Sequence, residues 1–243
     1  MVVDDSLVYY YDIGSDLCVY SDSSTSRIRN LARPNDGDDA IDCQMINSTK
    51  EDNIVIDKSR YFVADGTDEY LRSTIADNPN INTRLNLTIG AWAKILDGDP
   101  FAVVSKYSQY IIGLNSLDRP AFLVNIQGDG WRPTSYNNDI WGDNTIDITD
   151  WHYWVGTYNV LDGSGGEIKF YCDGNLLVTH AISAGNSNGQ LRNDSSGEVK
   201  FMRRDSGTGD YQKGGIAIMH CYTRPLSWQE IRQNYIATRG RFQ

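Results

Sequence analysis

The sequence is short of the residues on which much chemistry depends. Three histidines (His152, His180, His220) and four cysteines (Cys18, Cys43, Cys172, Cys221) serve 243 residues. The cysteine spacings match no zinc pattern and no G-x-S-x-G elbow accompanies the histidines, so a sequence-borne metal motif and a serine triad are both missing. No apolar run approaches the ~18–20 residues of a membrane span, which excludes helical insertion. Long Leu/Ala/Glu/Lys stretches of helical period are nearly absent, which argues against a helical bundle. Basic residues are in deficit. With 22 Lys and Arg against 32 Asp and Glu, the formal charge is −10, so nucleic acid and anionic membranes are repelled. The start, Met1-Val2-Val3-Asp4-Asp5, has neither the basic nor the apolar segment of a signal peptide. The expectation is a chain used without that export route, or one already trimmed.

What is abundant is tyrosine (15), glycine (22) and Asp-Gly turns, which occur at 36, 65, 97, 129, 162 and 173. Residues 151–180 show the pattern best. Apolar runs Trp151–Val160, Glu167–Tyr171 and Leu176–His180 are separated by turn residues at 162–166 and by Asp173-Gly174, and predict a three-stranded antiparallel meander. The first run has large side chains at both parities, Trp151 and Tyr153 against Trp154 and Tyr158, so it should be covered on both faces. Further strands are predicted at 6–12, 54–57, 61–64, 85–94 (with Leu85, Leu87, Ile89 and Ala91 on one face), 102–105, 110–114, 121–126, 198–202 and 215–222. Residues 13–53 read as loop, and 127–150 as a polar loop carrying aromatics. Ser227 and Glu230 form a capping box for one helix over 226–239, with Leu226 and Ile231 as a staple. Trp228, Ile231 and Tyr235 should dock it, and Gly240 should end it in a left-handed turn. The reading is all-β: a two-sheet antiparallel sandwich with one short C-terminal helix, a single domain over 1–243 whose first 60 residues are rich in loops.

At this point several segments resemble a known family, the concanavalin A-like jelly rolls of the laminin-G-like (pentraxin-like) branch. Phe62-Val63-Ala64-Asp65-Gly66-Thr67-Asp68-Glu69-Tyr70-Leu71 is similar to the family's FDGxDDYL turn. Residues 87–94 resemble its FTISAWVK strand, 103–106 its IVSK, 151–158 its WHHVVGTYD and 169–176 its KLYVNGVL. The ending from Gly215 to Phe242, with its Asn-Tyr-Ile-Ala-Thr-Arg-Gly-Arg-Phe close, resembles versions found in tailed-phage and other viral structural proteins. The resemblance implies a jelly-roll sandwich; it constrains shape better than activity.

Three chemistries follow from that likeness. Glucanase relatives carry E-x-D-x-(x)-E on one strand, with carboxylates ~5–5.5 Å apart. The nearest match here, Asp147 and Asp150 ahead of Trp151, sets the two acids three apart and on opposite faces of any strand. Pentraxin-like relatives bind calcium in rim loops, yet the loop after Phe201 opens here with Arg203-Arg204; Asp36, Asp38 and Asp42 are the remaining candidates, set against a solvated acidic loop. A glycan surface is the third. Trp131, Tyr136, Asn137, Asp139 and Trp141 combine aromatic faces with amide and carboxylate groups, though the same aromatics also suit loop packing or an interface. The histidines read as packed or solvated strand residues, and the cysteines as free core thiols, with a Cys18–Cys43 bridge the alternative.

The resulting expectation is a non-catalytic virion protein, such as a capsid decoration or a tail or fibre component. Its partners would be other virion proteins, copies of itself and host-surface glycans. The alternative is a secreted or cell-surface lectin, and a glycoside hydrolase comes last.

Overall fold

The computed structural model describes residues 2–22, 25–32, 41–73, 84–97, 102–106, 108–114, 119–132, 146–161, 165–182, 189–194, 197–204 and 210–243. In chain order the strands are β1 (Leu7–Asp12), β2 (Val19–Asp22), β3 (Thr25–Ile28), β4 (Cys43–Ile46), β5 (Ile54–Val55), β6 (Tyr61–Asp65), β7 (Tyr70–Ser73), β8 (Leu87–Ile95) and β9 (Ala102–Lys106). They continue with β10 (Tyr110–Leu114), β11 (Pro120–Ile126), β12 (Gly130–Arg132), β13 (His152–Leu161), β14 (Gly165–Cys172), β15 (Asn175–Ile182), β16 (Lys200–Phe201) and β17 (Lys213–Tyr222). Two helices, α1 (Lys50–Asn53) and α2 (Trp228–Thr238), complete the set, and a 3-10 turn follows at Arg239–Arg241.

The strands form two antiparallel sheets. The first runs β15-β14-β13-β8-β17-β6-β5, with β1 also pairing β17; the second runs β12-β11-β10-β9-β16-β7-β4-β3-β2. The meander predicted at 151–180 is β13–β15, the three strands at one end of the first sheet. Parity decides its packing as expected. Trp154 and Tyr158 enter the main core between the sheets, while Tyr153 and Val155 enter a second cluster on the outer face with Trp92, Ile218, Tyr222, Leu226 and Ile231. The lid over that outer face is α2 and the residues after it: Phe242 stacks on Trp92 at 4.2 Å, and Tyr235 stacks on it at 5.7 Å. The second sheet is also covered on both sides, because every residue of β9, β10 and β11 is buried.

The β14–β15 turn shows why Asp-Gly was a good signal. Asp173 and Gly174 take φ of 52° and 76°, the left-handed pair that a two-residue hairpin needs. Asp173 bears the cost of that conformation while its carboxylate Oδ1 accepts the Tyr153 N–H at 2.9 Å.

Several expectations are corrected. The supposed loop at 13–53 contains β2, β3, β4 and α1. β3 and β4 bury only alternate residues, such as Cys43 and Met45, and their polar partners mask the period. Leu85 lies ahead of β8 and is 50% exposed, so the shared face begins at Leu87. Gly240 sits inside the 3-10 turn and is not in the left-handed region; the α2 C-cap is Arg239, in right-handed conformation. Trp228 does not dock inward: it is 43% exposed, whereas Ile231 is fully buried. The capping box is present in full, and Leu226 and Ile231 share the outer cluster. All four cysteines are free and buried.

Candidate functional site

α2 is held from beneath by polar contacts as well as rings. The Asn234 amide donates to the Tyr222 hydroxyl at 3.0 Å and its Oδ1 accepts the Val3 N–H at 2.8 Å, while Trp92 Nε1 donates to Thr238 Oγ1 at 2.8 Å. Arg224 grips Glu230 through two contacts, at 2.6 and 3.0 Å, and Asp5 at 2.8 Å. These contacts fix one helix face and leave the other to solvent.

The free face carries two hollows. One, of about 440 Å³, is lined by Trp228, Gln229, Arg232, Gln233, Ile236 and Ala237. Its neighbour, of about 290 Å³, is lined by Asp173, Asn175, Arg232, Tyr235, Ile236 and Arg239. Arg232 and Ile236 wall both, so the two adjoin along α2, and the smaller one reaches the β14–β15 turn. The Arg232 guanidinium sits 5.4 Å from the Trp228 ring centre and that of Arg239 5.7 Å from Tyr235. Trp228 is itself fixed by donating Nε1–H to the Gly174 carbonyl at 2.9 Å. The rim offers aromatic and aliphatic faces, guanidinium donors and amides, the means by which a sugar or a carboxylated ligand is held. Sequence reasoning missed it by placing Trp228 on the docking stripe. The available signal was Trp228, Arg232 and Ile236 at i, i+4, i+8, a second stripe beside the one through Ile231 and Tyr235.

Of the glycan candidates, only Trp131 is described. It lies on β12 opposite Asn125, half-buried against the main core on the outer face of the second sheet. Tyr136, Asn137, Asp139 and Trp141 lie outside the described residues, as do Asp36 and Asp38. Asp42 is engaged: Oδ2 accepts from the Tyr20 hydroxyl at 2.6 Å and Oδ1 from the Asn30 N–H at 2.8 Å. Burial and this carboxylate push Tyr20 up to about 12. After Phe201, the Arg203 guanidinium lies 4.6 Å from the Tyr70 ring centre and 4.7 Å from that of Tyr211, and Arg204 pairs with Asp210 at 3.3 Å.

The glucanase-like acids form a turn, with the Asp150 N–H donating to the Asp147 carbonyl at 3.0 Å. Asp147 accepts from the Thr149 hydroxyl and N–H at 2.6 and 3.0 Å, which holds its carboxyl below the usual range. A general acid needs the opposite shift. His220 is fully buried, with Nε2 2.5 Å from the Tyr153 hydroxyl, and desolvation lowers it to about 3. His180 is lowered by burial and by Arg132. His152 faces Asp173, with Nδ1 2.8 Å from Oδ2.

The model of the concanavalin A-like lectin/glucanases superfamily matches residues 65–232. The chain belongs to that superfamily. No curated protein sequence matches it significantly. Among solved structures, the botulinum neurotoxin serotype D/C binding domain superposes with a TM-score of 0.66 at 14% identity, over 97% of this chain and 53% of that one. A botulinum neurotoxin type C structure, described in terms of cell entry through two ganglioside molecules, gives 0.64 at 14% identity over 97% and 52%. The binding domain of Paraclostridial Mosquitocidal Protein 1 gives 0.61 at 15% identity over 96% and 52%. This superfamily member therefore spans about half the length of those structures, and at such identity the likeness is one of fold.

Proposed function

We propose that the chain is a non-catalytic binding module of a virion, a jelly roll that docks on neighbouring virion proteins or copies of itself and meets host-surface glycans at an outward rim. The observation that carries this reading is the pair of adjoining hollows that share Arg232 and Ile236, with Trp228 as the aromatic face of one and Tyr235 of the other. Several findings support it. The solved structures it resembles are described as binding domains, one of them with rat synaptotagmin II. The acids nearest the glucanase pattern are tied into a turn with a lowered carboxyl. The virion assignment rests on the resemblance of the C-terminal segment. Weak contacts of this kind gain strength from copy number on a particle.

A glycan array and sizing of the purified chain test the reading, with Ile236→Ser and Arg232→Ala as probes. Selective binding lost in both variants, together with co-purification with particles, is the expected result. Ile236 is 52% exposed, so its replacement should change stability by no more than about 0.5 kcal/mol. Selective binding by a monomer never found on particles would favour the free lectin. Turnover of laminarin or agarose, abolished by one Asp or Glu change, would replace both with an enzyme.

A further inference from the structure

Where β13 begins and β14 ends, three donor groups of different chemistry converge. His152 Nδ1 lies 2.8 Å from Asp173 Oδ2 and 3.7 Å from Cys172 Sγ. One ligand atom from each residue falls within 4.8 Å of the others. The fold brings them together by register. β13 and β14 pair Trp154 with Cys172, and the turn residue Asp173 is tied back to Tyr153 by two backbone-borne bonds, at 2.9 and 3.0 Å.

The hydrogen-bond roles around His152 do not close with the ring neutral. Nε2 lies 3.0 Å from the Asp147 carbonyl, which only accepts, so Nε2 carries the proton. In a neutral ring Nδ1 is then a lone pair, and it faces a carboxylate, which also only accepts. Two acceptors 2.8 Å apart call for positive charge at that point, supplied by a second ring proton or by a metal ion. A far-side N–H held by a carbonyl is the arrangement that orients metal-bound histidines. Asp173 Oδ1 is taken by the Tyr153 N–H, which aims Oδ2 at the cluster. A simple His–Asp pair has no use for the sulfur beside it.

We propose that His152, Cys172 and Asp173 bind a divalent cation of borderline softness, of which Zn²⁺ is the type. Imidazole nitrogen, thiolate sulfur and carboxylate oxygen are its usual donors, and three protein ligands leave a fourth position for water or an exogenous group. The side chains of His152 and Asp173 are 18% and 27% exposed, which gives the ion a route in; Cys172 closes the site from the core side. On binding, Cys172 releases its thiol proton to solvent, as does His152 any proton held on Nδ1. Asp173 also lines the smaller hollow beside α2, so the site adjoins that rim, but none of its three donors depends on the ligand bound there.

Cobalt titration of the metal-free chain tests this. The expected result is one Co²⁺ per chain, a thiolate-to-cobalt charge-transfer band in the near ultraviolet, tetrahedral bands in the visible, and displacement by Zn²⁺ and not by Ca²⁺. Cys172→Ser should remove the charge-transfer band. His152→Ala should weaken binding by about a hundredfold, the upper end of what losing even an outer partner costs. His180→Ala, outside the cluster, should leave binding unchanged. The unmutated chain provides an arm independent of variant folding: Zn²⁺ should raise its Tm and Ca²⁺ should not. Absence of both the band and the Tm shift would overturn the site, as would a band that survives in folded Cys172→Ser.

Discussion

Gly156 on β13 lies directly against the ring of Phe122 on β11, so that a Cβ added at 156 would fall inside the ring's van der Waals surface. Here the two sheets meet backbone to aromatic face. Gly156→Ala should therefore destabilise by about 1–3 kcal/mol, the cost of overpacking a tight core. Urea denaturation should show a lower midpoint at unchanged slope, and Phe122→Leu in the same chain should recover part of the loss. An alanine variant as stable as the parent would mean that the sheets can part at little cost.

The Tyr153–His220 contact sets one limb of the pH profile. His220 is held neutral by burial, at about 3 against 6.5 for a free histidine. Between those values the unfolded chain binds the proton and the folded chain does not, so stability falls as pH drops from 6.5 toward 3. His220→Gln, though less stable at neutral pH, should flatten the Tm profile between pH 6.5 and the onset of carboxylate titration. An unchanged slope there would assign the limb to other groups.

A second acid-side contribution comes from Glu230. The Arg224 bond chiefly, with help from Ser227, lowers its carboxyl from 4.5 to about 2 against the opposing effect of burial. This stabilisation is present above pH 4.5 and is lost as pH falls toward 2. The pair is partly exposed, so the loss should be no more than about 1 kcal/mol and should shrink with added salt. Glu230→Gln should remove that salt-sensitive step in acid unfolding, while its amide oxygen can still accept the Ser227 N–H and keep the α2 capping box.

Asp42 should behave as a structural acceptor. Asp42→Ala strands the Tyr20 hydroxyl and the Asn30 N–H, at a cost of about 1–3 kcal/mol. Thermal melts should give the same loss with and without Ca²⁺. A calcium-dependent difference would make this carboxylate a ligand.

The large strands were legible because their periods are long and bounded. β13 advertises two buried faces by its tryptophans and tyrosines, and Asp173-Gly174 announces its hairpin. β2, β3 and β4 were not legible, being four residues each, with β3 and β4 burying a residue only at every second place; pairing with neighbours, not composition, makes them strands. The rim at α2 was hidden for a different reason. An aromatic at a helix start suits docking and display equally, and only the position of Trp92 and Tyr153 beneath the helix decides that Ile231 faces in and Trp228 out. The His152–Cys172–Asp173 cluster has a spacing of twenty and one, which matches no linear ligand motif. It exists because β13 and β14 are neighbours in register.

The burial of every side chain along β9, β10 and β11 bears on what kind of saccharide this molecule could recognise. A polymer threaded lengthwise needs an open trough many sugar units long, and that part of the sandwich offers none. A shallow notch beside a single helix instead suits the tips of branched chains, where one or two terminal units protrude. Recognition of this sort would sense how a surface is capped and remain indifferent to the repeating backbone underneath.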